Sequence, residues 1–128
     1  SCRKQGSNFL KRLIAIHLLY GWTVFFIFKK STIKNLILNG IKKKDLGCSI
    51  EDIKALFHLD DERFERPISE TGNERFRAMA AVGYVYGKEI FCFPWLSQNR
   101  FDYYHGNITD LLNILEGLKK VVILPVGK

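Results

Sequence analysis

The chain is poor in cysteine. Cys2, Cys48 and Cys92 are scattered over 128 positions, too few and too far apart for a disulfide framework, and no Cys-x-x-Cys pair opens a zinc site. A reducing compartment is therefore expected. His17, His58 and His105 stand apart from one another, so no His/Cys/Asp spacing points to a metal and none is expected. Internal repeats and low-complexity segments are lacking, which sets aside solenoids and linker-like chains. Acid is scarce beside base: thirteen Asp and Glu face twenty Lys and Arg, for a formal charge of +7. That excess suits an anionic partner such as nucleic acid, nucleotide phosphate or an acidic membrane surface, or else makes a solvated basic face.

What is present points to one folded unit. The length fits a single domain, and 47% hydrophobic residues are enough to bury a core. We expect residues 1–128 to form one α/β domain. Residues 13–28 (LIAIHLLYGWTVFFIF) are apolar except for His17 and Thr23, with Lys and Arg on both sides. This run falls just short of the roughly 17–25 residues that span a bilayer, and Gly21-Trp22 interrupts it. It reads as a buried helix turning into a buried strand, with a membrane helix as the alternative. It lacks a small-residue cleavage site, so it does not read as a signal peptide.

Local signals divide the chain further. Ser7 or Asn8 can cap a helix to about Tyr20, and residues 22–28 suit a strand. Ser31 or Thr32 caps a helix from Ile33 to about Lys44, whose last turn is basic. Asp45-Leu46-Gly47 stops it. Ser49 caps another, with Ile53, Leu56 and Phe57 on one face. Residues 60–72 read as a polar loop. Asn73 opens a helix through Arg75, Met79, Val82 and Tyr86 that ends at Gly87, followed by a strand over residues 89–93 and a stop at Pro94. Residues 95–107 read as a polar and aromatic loop. Asn107 or Thr109 caps a last helix carrying Leu111, Leu112, Leu115 and Leu118, and residues 121–126 form a last strand. Helices alternating with continuous apolar strands predict a three-layer fold around a mostly parallel, buried sheet, P-loop-NTPase-like or Rossmann-like.

The order of these pieces resembles the nucleotide-binding domain of ATP-binding-cassette (ABC) transporters, most like the exporter type. Residues 32–40 (TIKNLILNG) are similar to the stretch after that family's Q-loop. Residues 67–73 (PISETGN) resemble the approach to its signature motif, and residues 74–81 the helix that follows. Residues 88–93 sit where its Walker B strand would be, and residues 115–124 resemble the helix and strand before its H-loop. The resemblance implies that residues 1–8 stand for the phosphate loop, starting without the β-subdomain that precedes it in the family. It also implies an emptied site. Ser7 and Asn8 replace the lysine and hydroxyl that hold phosphate and Mg²⁺, and only Gly6 fits. Phe93 and Pro94 replace two acids. The signature is reduced to Thr71, Gly72, Asn73 and Glu74. The only glutamines are Gln5 and Gln98, and no histidine follows His105. Weak phosphate contact is still open to the amides of Gly6, Ser7 and Asn8, with Arg3, Lys4 and Lys11 supplying charge.

Other constellations remain. Glu70, Glu74 and Asp102 are the acids nearest the expected carboxyl ends of strands. Residues 83–90 (GYVYGKEI) are similar to a unit of nucleoside deoxyribosyltransferases, in which a carboxylate before that helix attacks the sugar; Glu70 or Glu74 would be that nucleophile. The aromatics Trp95, Phe101, Tyr103 and Tyr104 could stack bases, grip a partner or fold back on the core. The lysines at 29–30 and 42–44 could meet phosphate. Cys92 lies mid-strand and is expected to be buried and inert. Taken together, these residues predict a non-catalytic, degenerate nucleotide-binding-type domain. It would be an interaction or regulatory partner of a membrane transporter or of a second, active ATPase subunit. It would be cytoplasmic or peripheral to the membrane, carry no cofactor beyond weakly bound nucleotide, and be open to self-association. The alternatives are a small nucleoside- or nucleotide-processing enzyme and a basic nucleic-acid-binding domain.

Overall fold

A computed structural model of the protein describes residues 31–125. The helix and strand expected over residues 7–28 lie outside the described residues. Within them the chain is rich in helix: α1 (Ile33–Lys44), α2 (Ile50–Leu56), α3 (Asp61–Phe64), two 3-10 turns (Ile68–Glu70 and Gly72–Glu74), α4 (Arg75–Val85), β1 (Ile90–Cys92), α5 (Gln98–Gly117) and β2 (Val121–Ile123).

Local chemistry starts the first two helices. Thr32 Oγ1 accepts a hydrogen bond from the Asn35 amide at 3.2 Å. Ser49 and Asp52 form a reciprocal capping box, with amide-to-side-chain distances of 3.2 and 2.9 Å. The bond from the Ser49 amide, joined by the Ser49 hydroxyl, holds the Asp52 carboxyl below the usual carboxylate range.

Tertiary packing then takes over. α4 packs against α1, α5 and both 3-10 turns. Phe76, Ala78, Ala80, Ala81, Val82, Gly83 and Val85 are all buried, which covers the helix on every side, as a central helix requires. Gly40 on α1 makes the closest approach: a Cβ there would collide with the Val85 side chain and press on the Tyr86 ring. Gly83 plays the same part toward β1, where a Cβ would meet the Phe91 ring at 3.0 Å. Ile33, Leu36 and Ile37 from α1 complete the core with Ile53, Phe57, Ile108, Leu111 and Leu115.

β1 and β2 pair in parallel, with Ile90 opposite Val121, Phe91 opposite Val122 and Cys92 opposite Ile123, and α5 is the crossover that a parallel pair needs. The α/β reading therefore holds at this level, with two strands in the sheet among the described residues. Burial of the strands holds for β1 and not for β2, whose Val121 and Ile123 are exposed. Cys92 is half-buried, and partial burial pushes its thiol pKa up.

Four helices close in the same way. The amides of Leu46, Leu59, Lys88 and Lys120 reach back to the carbonyls of Ile41, Lys54, Gly83 and Leu115. In each case the preceding residue is left-handed: Asp45 (φ 49°), His58 (φ 51°), Gly87 (φ 75°) and Lys119 (φ 57°). Only one of the four is glycine, the residue that adopts this conformation without strain.

Two expected loops are corrected. Residues 60–72 contain α3, whose first turn is capped by Asp60 through the Glu62 amide at 2.8 Å, and a 3-10 turn. Residues 95–107 are not a loop: α5 begins at Gln98, so neither Asn107 nor Thr109 caps it. Phe101, Tyr104, Ile108, Leu111 and Leu115 fall at helical spacing, and the packing of Tyr104 on Phe76 at 5.4 Å outweighs the poor helix propensity of Gly106 and Asn107. Asn73 lies in a 3-10 turn, and the α-helix opens two residues later at Arg75.

These contacts predict opposite outcomes at two sites. Gly40→Ala gains helix propensity but overpacks α1 on α4, so urea unfolding should show a net loss of about 1–2 kcal/mol. Lys119→Gly relieves a left-handed side chain and should raise stability by about 0.5–1 kcal/mol in the same assay.

Candidate functional site

The residues named from the sequence fall into three groups. Arg3, Lys4, Gly6, Ser7, Asn8 and Lys11 lie outside the described residues, as do Lys29 and Lys30. Thr71, Gly72, Asn73 and Glu74 form the turn that feeds α4, and they split by exposure. Thr71 is fully buried and Glu74 nearly so, while Gly72 and Asn73 face solvent. The Thr71 hydroxyl donates to the Ile68 carbonyl at 2.7 Å, and the Thr71 carbonyl accepts from Arg63 Nη1 at 3.2 Å. Glu70 and Asp102 are exposed, and Asp102 accepts from Gln98 one turn earlier on α5 at 2.9 Å. Among the described residues no hydrogen bond joins Glu70, Glu74 and Asp102 to one another.

Glu74 belongs instead to a polar cluster built on Arg77. From α4, Arg77 Nη1 donates to Asp110 Oδ2 on α5 at 3.1 Å, and Nη2 to Glu74 Oε1 at 3.4 Å. The second oxygen of Glu74 accepts from the Asp60 amide at 3.3 Å. His58 closes the cluster, with Nδ1 2.9 Å from Asp110 Oδ2 and 3.2 Å from Oδ1. A carboxylate only accepts, so Nδ1 carries the proton. Arg77 Nε is buried with no partner among the described residues, a penalty of roughly 1–3 kcal/mol that the two carboxylate pairings offset.

Burial works against the charge on Asp110, but the hydrogen bonds and positive charges of His58 and Arg77 outweigh it. The carboxyl is held below the usual carboxylate range. The arrangement therefore ties four pieces together: the left-handed cap after α2, the turn before α4, α4 itself and the middle of α5. A His–carboxylate pair is half of a general acid–base site. Among the described residues no hydroxyl or thiol is hydrogen-bonded to His58, and what the cluster does there is hold these elements together. His58, Arg77 and Asp110 were not singled out by spacing. The one signal was a charge inside an otherwise apolar helix, Arg77 between Phe76 and Ala78.

The expected aromatic loop also divides. Phe101 and Tyr104 pack against the core, while Trp95 and Tyr103 are 63% and 70% exposed. Where the resemblance puts an acid, Phe93 is buried against Phe76 at 5.7 Å.

Charge separates along the chain. All thirteen acids lie between Asp45 and Glu116, and thirteen Lys and Arg lie within residues 31–125. The described part is thus neutral, and the whole +7 comes from Arg3, Lys4, Lys11, Arg12, Lys29, Lys30 and Lys128. Among the described residues no His, Cys, Asp or Glu cluster could hold a metal, and no helix is long and apolar enough to cross a membrane. Comparison with protein-family models, with curated proteins and with solved structures finds no match.

The cluster sets a pH dependence. Because Asp110 has a lower pKa in the folded protein than in the unfolded chain, its contribution is complete above the unfolded value near 3.8 and is lost as pH falls through the folded value. Asp110→Asn should flatten the fall in stability below about pH 4 and lower stability at pH 7 by about 1–3 kcal/mol. Urea titrations across pH measure both.

Proposed function

We propose that the protein is a non-catalytic, degenerate nucleotide-binding-type domain that acts as an interaction or regulatory partner of a membrane transporter or of a second, active ATPase subunit. On this reading the unit β1–α5–β2 is part of a three-layer, mostly parallel α/β fold of the P-loop or Rossmann kind. The domain works on the cytoplasmic side, at or near the membrane.

The observation that carries the reading is the fate of the signature-like turn. Thr71 and Glu74 are buried and their polar atoms are spent on Ile68, Arg63, Arg77 and Asp60. A turn that binds nucleotide across an interface has to keep such groups free. Phe93 supports the same reading, since a phenyl ring packed in the core can neither hold Mg²⁺ nor orient water. Exposed Trp95 and Tyr103 are of the residue types that dominate protein contacts. The nucleoside-enzyme alternative loses ground at Glu74, one of its two candidate nucleophiles, because that carboxylate is paired with Arg77.

The test is nucleotide turnover and thermal shift with ATP, in the presence and absence of Mg²⁺. We expect no hydrolysis above buffer and no stabilisation that needs the metal; any weak shift should be the same with EDTA. Stabilisation by ATP that appears only with Mg²⁺, or measurable phosphate release, would sink the proposal.

A further inference from the structure

Six of the eight lysines of the described region gather at one pole. Lys42, Lys43 and Lys44 end α1. The Lys44 stem lies against Gly87, the cap of α4, where a Cβ would be 3.7 Å from Lys44 Cε. Lys88 follows directly. Lys119 and Lys120 end α5, and Lys120 Nζ lies 5.7 Å from the Tyr84 ring centroid and 2.9 Å from Glu89 Oε2. Lys88 and Lys119 stand at the same register, each two residues ahead of the paired Ile90 and Val121. Three helix C-termini and the starts of both strands thus converge on six lysines.

Compensation of helix dipoles does not account for the number. The last carbonyls of these helices already accept the cap amides, and one cation in a final turn answers a dipole. The acids here are Asp45, Glu89 and Glu116, three against six. Lys42, Lys43, Lys44, Lys88 and Lys119 make no ion pair among the described residues, whereas Lys34, Lys54 and Lys120 each do. In a region whose net charge is zero, the unpaired lysines are all at one end.

Two exposed aliphatic side chains lie beside them. Leu46 follows the α1 lysines and is 39% exposed, and Val121 follows the α5 lysines and is 54% exposed. The exposed aromatics are elsewhere: Trp95 lies beyond the carboxyl end of β1 and Tyr103 on the first half of α5.

We infer that this pole is a docking surface for an anionic membrane, with the lysines meeting lipid headgroups and Leu46 and Val121 entering the interface. Point-charge lysines with adjoining aliphatics suit a lipid surface. A single-stranded nucleic acid would call for exposed aromatics interleaved with the charge, whereas Tyr84 and Tyr86 at this pole are half-buried against the core; a duplex would call for arginines to grip bases, and the cations here are lysines. The inference does not depend on the transporter reading, since it uses only the placement of these residues.

Sedimentation of the full chain with vesicles tests it. Binding should be strong on phosphatidylcholine vesicles containing about one third phosphatidylserine, absent on phosphatidylcholine alone, and weakened by salt. The triple variant Lys43→Glu, Lys88→Glu and Lys119→Glu should bind more than ~100-fold less, since loss of the charge alone costs about five-fold per lysine. The milder Lys43→Gln, Lys88→Gln and Lys119→Gln variant should fall between, which separates loss of contact from loss of fold. Leu46→Ser should weaken binding several-fold, and Arg100→Glu, on α5 away from this pole, should leave it unchanged. Vesicle binding that is indifferent to the lysine variants would overturn the inference, because it would then belong to another part of the chain. So would failure of the unmodified protein to bind anionic vesicles, or tighter lysine-dependent binding to duplex DNA or to RNA than to vesicles.

Discussion

An α-helix buried on every side has one difficulty to resolve, which is where to put the charge it carries inside. In α4 that charge is Arg77, whose side chain is only 15% exposed. A guanidinium cannot shed its proton in a protein, so it has to be answered where it lies. Glu74 answers it from the turn before the helix and Asp110 from α5. Each answer fixes geometry beyond the pair. While Glu74 serves Arg77 with one oxygen, its second accepts from the Asp60 amide, which ties it to the start of α3. Asp110 can serve only with α5 docked along α4, and His58 then holds the cap of α2 to the same carboxylate. Apolar burial supplies the larger part of the stability, but it is non-directional. The Arg77 cluster is directional, and it relates four elements to one another.

The same cluster explains why the acids named from the sequence do not form a site. Glu74 looked available because it precedes a helix and sits in a signature-like stretch. Availability is a property of surroundings, and the surroundings came from residues 3 and 36 positions away, Arg77 and Asp110. Nothing in local spacing gives that pairing. Helix caps are a different matter. Thr32, Ser49 and Asp60 act within three residues of themselves, so the starts of α1 and α2 could be read directly. The parallel pairing of β1 with β2 was legible for a similar reason, since a helix between two apolar runs leaves few other connections. The start of α5 was obscured because Gly106, Asn107 and a polar composition argue for a loop, and only the packing of Tyr104 and Phe101 reverses that. The fold was therefore readable where local chemistry acts alone, and misread where packing overrules it.

Chain ends show a further pattern. Three of the four left-handed caps are held by Asp45, His58 and Lys119, each at a strain on the order of 1 kcal/mol that glycine would avoid. At His58 the side chain offers a compensation, the pairing with Asp110. At Asp45 and Lys119 no hydrogen bond or ion pair of the side chain is seen among the described residues. Both lie at the lysine pole, together with Gly87, where the side chain of Lys44 crosses the cap.

That coincidence bears on what the pole is for. A surface selected only for stability would put glycine at such caps and spread its charge, because like charges at close quarters repel. Here Lys119 keeps a strained conformation and adds to the crowding. Folding stability is lowered twice, by strain and by repulsion, with no side-chain hydrogen bond or ion pair among the described residues to offset either. A partner that brings negative charge would remove the repulsion and give Lys119 something to hold. The cost is visible among the described residues, and an anionic surface of the kind inferred for this pole would offset it.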